Sequence, residues 1–112
     1  YIGSIVAYDA DVKRSLLNVP KDISVVSQEA VEAMALEVCA VLGADVSVAV
    51  SGAAGPYPHE GQEPGTVWMA TSVKGDVESF KVVFPFDRAQ IRQFTVITVL
   101  NALRKRLESS IY

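Results

Sequence analysis

Tyr8 and Lys13 stand five positions apart, across what reads as the end of a strand and the cap of a helix. Both side chains can then face one cleft. A lysine beside a phenol favours the phenolate, and either group can shuttle a proton. The plainer reading is a packing tyrosine with its hydroxyl in water and a solvated lysine. Ser51-Gly52-Ala53-Ala54-Gly55-Pro56 follows an apolar run and would leave the carboxyl end of a parallel strand, where open α/β sheets bind ligands. Its glycines would let backbone N–H groups approach an anion or an oxyanion. An ordinary Gly/Pro surface loop explains the same residues, because the spacing matches neither phosphate-loop nor dinucleotide fingerprints. Arg88 and Arg92 share a helix face at a spacing that can clamp a phosphate or carboxylate. A solvated face beside Asp87 is the bland alternative.

His59 with Glu60 and Glu63 gives one imidazole and loop carboxylates, which is not a convergent zinc set. No metal or organic cofactor is expected. Cys39 reads as a small buried hydrophobe, and Trp68 as core or interface packing.

These residues need a scaffold. The chain has 112 residues, 50% hydrophobic and 21% charged, which suits one domain with a packed core. A net charge of −3 supplies no electrostatic footprint for nucleic acid. The single Cys excludes a disulfide framework within one chain. No apolar run approaches the roughly 20 residues a membrane span needs, and no signal peptide is visible. A cytoplasmic protein is expected.

Residues 2–8 read as a buried strand, followed by a short helix over 10–17 with Asp9 as its cap. Ser27 caps a second helix, whose stripe Val31, Met34, Ala35, Val38 and Leu42 ends at Gly43. Strands follow at 46–50, 65–73 and 77–84, with a loop over 51–64 and a hairpin turn at Gly75-Asp76. Asp87 opens the last helix, 88–108, which carries more apolar surface than one sheet face needs. The order β-α-α-β-β-β-α predicts a right-handed parallel pairing of 2–8 with 46–50. The expected fold is α/β, a three-layer α/β/α sandwich around a mixed, mostly parallel sheet.

The run Gly3-Ser4-Ile5-Val6-Ala7-Tyr8, then Lys13 and Leu16-Leu17-Asn18-Val19-Pro20, resembles the start of the C-terminal domain of the CinA (competence/damage-inducible) proteins. Val26-Ser27-Gln28-Glu29, Leu42-Gly43-Ala44-Asp45 and Ser51-Gly52-Ala53-Ala54-Gly55-Pro56 continue the similarity in order. Pro64-Gly65-Thr66-Val67-Trp68-Met69-Ala70 and Phe86-Asp87-Arg88-Ala89-Gln90-Ile91-Arg92 complete it over essentially the whole chain.

The resemblance implies an amidase that hydrolyses nicotinamide mononucleotide to nicotinate mononucleotide and ammonia. The family uses a serine nucleophile with a Lys and a Tyr as partners, and Lys13 and Tyr8 match those positions. Ser51, Gly52, Ala53 and Gly55 match a substrate-contacting loop, and Arg88 or Arg92 a basic position that can meet the phosphate. The family loop is richer in Gly than Tyr57-Pro58-His59-Glu60-Gly61 is here.

The family's Glu-Ser-x-Thr-Gly-Gly motif, which carries the nucleophile upstream of the first strand, does not occur in these residues. Ser4 lies where the family often has Gly and Ser51 where it often has Thr, so neither replaces it. The chain also opens at Tyr1 directly into an apolar run. The expectation is one CinA-like domain, 1–112, without its N-terminal helical segment and inactive alone. The alternative is a non-catalytic nucleotide-binding or regulatory domain of the same fold. Expected partners are a small-molecule nucleotide and a second copy docked on the apolar last helix, with no nucleic acid and no membrane.

Overall fold

The computed structural model describes residues 3–5, 27–53, 65–85 and 88–111. Helix α1 spans Gln28–Leu42, strand β1 Val46–Ala53, β2 Thr66–Val73 and β3 Asp76–Val83, and helix α2 Arg88–Ile111. Tyr8, Lys13 and the expected helix over 10–17 lie outside the described residues. Of the expected strand 2–8, residues 3–5 are described and belong to no helix or strand.

Helix α1 begins and ends as its sequence dictates. The Ser27 hydroxyl accepts from the Ala30 N–H at 3.2 Å, satisfying one orphan donor of the first turn. Gly43 closes the helix at φ 66°, and its N–H reaches the Cys39 carbonyl. A side chain there would meet no neighbour, so glycine is favoured by the backbone angle alone. Ala30, Val31, Met34 and Ala35 turn inward onto Ala49 and Ala70 of the sheet. Small residues on both surfaces let helix and sheet approach closely. The Ser47 hydroxyl consequently donates to the Ala35 carbonyl at 2.6 Å.

Among the described residues the sheet has the order β1-β2-β3, and both pairings are antiparallel. This conflicts in part with the expected mixed, mostly parallel sheet, whose parallel pairing of 2–8 with 46–50 falls largely outside the described residues. Only residues 54–64 join β1 to β2, fewer than the dozen or so that a crossover between parallel strands needs, so the chain returns antiparallel. The hairpin is also shifted by one residue from expectation. Its turn is Lys74-Gly75, with φ 52° and 84°, and Val73 pairs with Asp76. Two successive positive φ values suit the twist of a two-residue hairpin. The Lys74 N–H donates to the Asp45 carbonyl at 2.8 Å, which holds this non-glycine residue in its left-handed conformation.

Alternation along the strands separates two cores. Ala49, Ala70 and the half-buried Trp68 and Val77 face α1. Val67 and Met69, with Val48, Phe80 and Val82, pack with Phe84 and with Ile91 and Val99 of α2 on the other face. Among the described residues the architecture is therefore mixed α/β, with one helix on each face of an antiparallel sheet. No helix of the described residues is long and apolar enough to cross a membrane.

Arg106 fastens the far end of α2. Its Nη1 donates to the Thr71 carbonyl and hydroxyl, both at 2.8 Å, and its Nη2 to the Asp76 carbonyl at 3.0 Å. Ion pairs to Asp76 and Glu78, each at 3.1 Å, complete the fork. Both carboxylates are exposed, so those pairs contribute little, and the bonds to Thr71 carry most of the stabilisation. Arg106→Met keeps the stem and is expected to cost about 2 kcal/mol in urea denaturation. Arg106→Lys should recover less than half of that loss, because an ammonium cannot reproduce the fork.

Candidate functional site

The connections bring both helix N-termini to one end of the sheet. Only Gly43, Ala44 and Asp45 separate α1 from β1, so α1 runs back along β1 and starts near β1's carboxyl end. Helix α2 follows β3 closely, and its distal Arg106 reaches Asp76 at the opposite end of the sheet. The last cross-strand row at the shared end is Ala53, Thr66 and Val83. Each helix start carries the equivalent of roughly half a positive charge. Glu29 in the first turn of α1 already answers one of them, so it is the α2 start that favours an anion.

Ser51, Gly52 and Ala53 stand at that end, but in strand β1 and not in a loop. They pair with Trp68, Val67 and Thr66 respectively. This corrects the expected strand end at residue 50, where a glycine after Ser51 reads as a loop. The physical role of Gly52 is close approach. A Cβ there would lie 3.1 Å from Val67 Cγ2 and 3.3 Å from the Thr66 carbonyl oxygen. Ser51 is buried on the α1 face, whereas Gly52 is exposed on the α2 face. These matched loop residues therefore address different sides of one sheet end. Gly55 lies outside the described residues, as do His59, Glu60 and Glu63.

Arg88 is the first residue of α2, and Arg92 follows one turn later. The Arg92 side chain is exposed and makes no ion pair or hydrogen bond among the described residues. Helix α2 has no acidic residue in its first turn. Basic residues at the positive end of a dipole oppose the usual preference of a helix. Such a breach of a local rule is what a binding role would explain. Among the described residues no cluster of His, Cys, Asp or Glu could hold a metal ion.

Two features escaped the sequence reading. Thr66 is buried in the terminal row, beside Ala53. Lys81 is paired with Trp68 across the hairpin, and its Nζ sits 5.7 Å from the centre of the indole ring. The two-residue turn fixes that register, so the turn signal at Gly75 could have found the pair. Cys39 is half-buried, less enclosed than a core hydrophobe.

The model of the CinA C-terminal domain family matches residues 1–107. A putative competence-damage inducible protein of Listeria welshimeri is 34% identical over 96% of this chain and 27% of its own. A CinA-like protein of Petrotoga mobilis is 37% identical over 93% of this chain and 28% of its own. The chain thus spans about a quarter of the length of these curated relatives. A CinA superfamily protein from Enterobacter cloacae superposes with a TM-score of 0.88 at 31% identity, covering 92% of this chain and 64% of that one. A competence damage-inducible protein A from Klebsiella pneumoniae gives 0.85 at 34% identity, with 90% and 66% covered. On these matches in sequence and in structure, the chain belongs to the CinA C-terminal domain family.

Proposed function

We propose that this domain is part of a cytoplasmic amidase that deamidates nicotinamide mononucleotide to nicotinate mononucleotide and ammonia. Family membership supports the reaction class. The observation that carries the substrate class is the α2 N-terminus, with Arg88 and Arg92 and no acidic residue in its first turn, at the same sheet end as the Ser51–Ala53 segment. That end suits a phosphate-bearing ligand.

In this reading the parent protein supplies the serine nucleophile from a Glu-Ser-x-Thr-Gly-Gly segment, a motif absent from these 112 residues. Lys13 takes the serine proton as oxygen attacks the carboxamide carbon. Tyr8 assists proton delivery to the departing nitrogen, which leaves as ammonia. Water then cleaves the acyl-enzyme, releasing nicotinate mononucleotide and restoring the serine. The Ser51-Gly52-Ala53 to Gly55 segment positions the carboxamide and donates to the oxyanion, and Arg88 or Arg92 meets the phosphate. Ammonia release from nicotinamide mononucleotide by the parent protein tests the reading.

A second reading is a nucleotide-binding or regulatory domain of the same fold without catalysis. Saturable nucleotide binding by the parent with no ammonia release would select it.

The partner in solution is a second copy. Val96, Ile97 and Leu100 are exposed on α2, Ile97 by 60%. Val96, Leu100, Leu103 and Leu107 repeat at steps of four, three and four, the spacing by which like helices form a seam. Helix α2 is about 36 Å long, enough for several layers of such contacts. Sedimentation should show a dimer that Leu100→Lys converts to a monomer, and a monomeric parent protein would contradict the assignment.

A further inference from the structure

Trp68 occupies the row next to the sheet end, between Ser51 on β1 and Lys81 on β3. The indole is half-buried against the α1 core, so one part of it is fixed while another meets solvent. Over that ring stands the Lys81 ammonium, 5.7 Å from its centre, on an exposed and flexible stem. The negative face of an indole attracts cations, and tryptophan does so best among the aromatic side chains. Lysine stems are entropically costly to hold in place, so this cover is displaceable.

We propose that Trp68 is the aromatic wall for a cationic pyridinium ring, with Lys81 as a cover that the ring displaces. The inference rests on the nicotinamide-nucleotide reading for the class of ligand. A pyridinium is flat, aromatic and positively charged, and it satisfies both the stacking and the cation preferences of an indole. Bound there, it lies on the Lys81 side of Trp68, one strand row from the last row of the sheet end. By its type and its place in a strand, Trp68 reads as core or interface packing. Its register with Ser51 and its occupied ring face give it a second role.

Trp68 is the single tryptophan of the chain, so its emission reports directly on this wall. The chain is titrated with nicotinamide mononucleotide, with 1-methylnicotinamide, and with uncharged nicotinamide as control. Saturable quenching by both cations, at least about tenfold tighter than by nicotinamide, is expected. Lys81→Ala should tighten 1-methylnicotinamide binding about threefold, since a competing cation is removed and this probe has no phosphate for Lys81 to meet. Quenching that rises linearly, as for free tryptophan, would overturn the proposal. So would equal affinity for the uncharged ring, or unchanged or weaker binding to Lys81→Ala. Ammonia release by the parent protein keeps the two readings apart. Release by the parent without saturable quenching removes the Trp68 wall and leaves the amidase, whereas quenching with no release by the parent keeps the wall and removes the amidase.

Discussion

Lys13→Ala in the full-length parent protein is expected to lower nicotinamide mononucleotide hydrolysis by about a thousandfold, with its thermal unfolding unchanged. The size follows from the task assigned to the residue. A positioned general base contributes roughly 10²- to 10⁴-fold, and a serine hydroxyl is a weak nucleophile until its proton is taken. Lys13→Arg should be nearly as inactive, because a guanidinium keeps the charge but does not release a proton near neutral pH. That pair of variants separates a base from a mere counter-charge to the phosphate. An electrostatic role would let Lys13→Arg retain most of the turnover. Near-normal turnover by Lys13→Ala would remove the residue from the mechanism altogether.

The largest expected change in stability is at Gly65. Its φ of 89° lies where side chains are disfavoured, and an added Cβ would stand 2.1 Å from the Phe84 carbonyl oxygen. Backbone cannot yield as a flexible side-chain tip does. The Phe84 N–H also donates to the Gly65 carbonyl at 2.9 Å, so any shift disturbs that bond. Gly65→Ala is therefore expected to cost about 4 kcal/mol, read from the urea midpoint. Gly75 makes the internal control. Its φ of 84° is similar, but a Cβ there meets nothing within 4 Å. Gly75→Ala should cost only the conformational strain, about 1–2 kcal/mol. Equal losses at the two sites would show that backbone angle, and not the Phe84 contact, dominates. Because Phe84 leads into α2, relaxing this junction should also move Arg92 and weaken phosphate-bearing ligands.

Local signals were the most legible part of the sequence. Ser27 and Gly43 bound α1 as their side chains and backbone freedom require, and the hairpin stands within one residue of its turn dipeptide. What pairs with what was harder to read. The β1–β2 pairing depends on where a glycine-bearing strand ends, and Gly52 reads as loop although Val67 packs tightly against it. The supposed parallel sheet leaned on residues 2–8, whereas the described pairings come from short connections that turn the chain back.

The site divides along the same line. Residue types and family resemblance singled out Ser51, Gly52, Arg88 and Arg92, but their placement on two faces follows from strand alternation about a register. No single residue announces the convergence of two helix starts either. It follows from three connecting residues after α1 and a short link after β3. Lys81 lay hidden for a similar reason, since its partner is thirteen positions away in the chain and adjacent across the hairpin.

Ammonia release is the direct readout of pyridine-nucleotide deamidation. Purified parent protein is incubated with nicotinamide mononucleotide, and ammonia and nicotinate mononucleotide are quantified beside the 112-residue chain alone. Equimolar formation of both products by the parent, and none by the chain alone, is expected. A folded parent that binds the nucleotide yet releases no ammonia would contradict the amidase assignment.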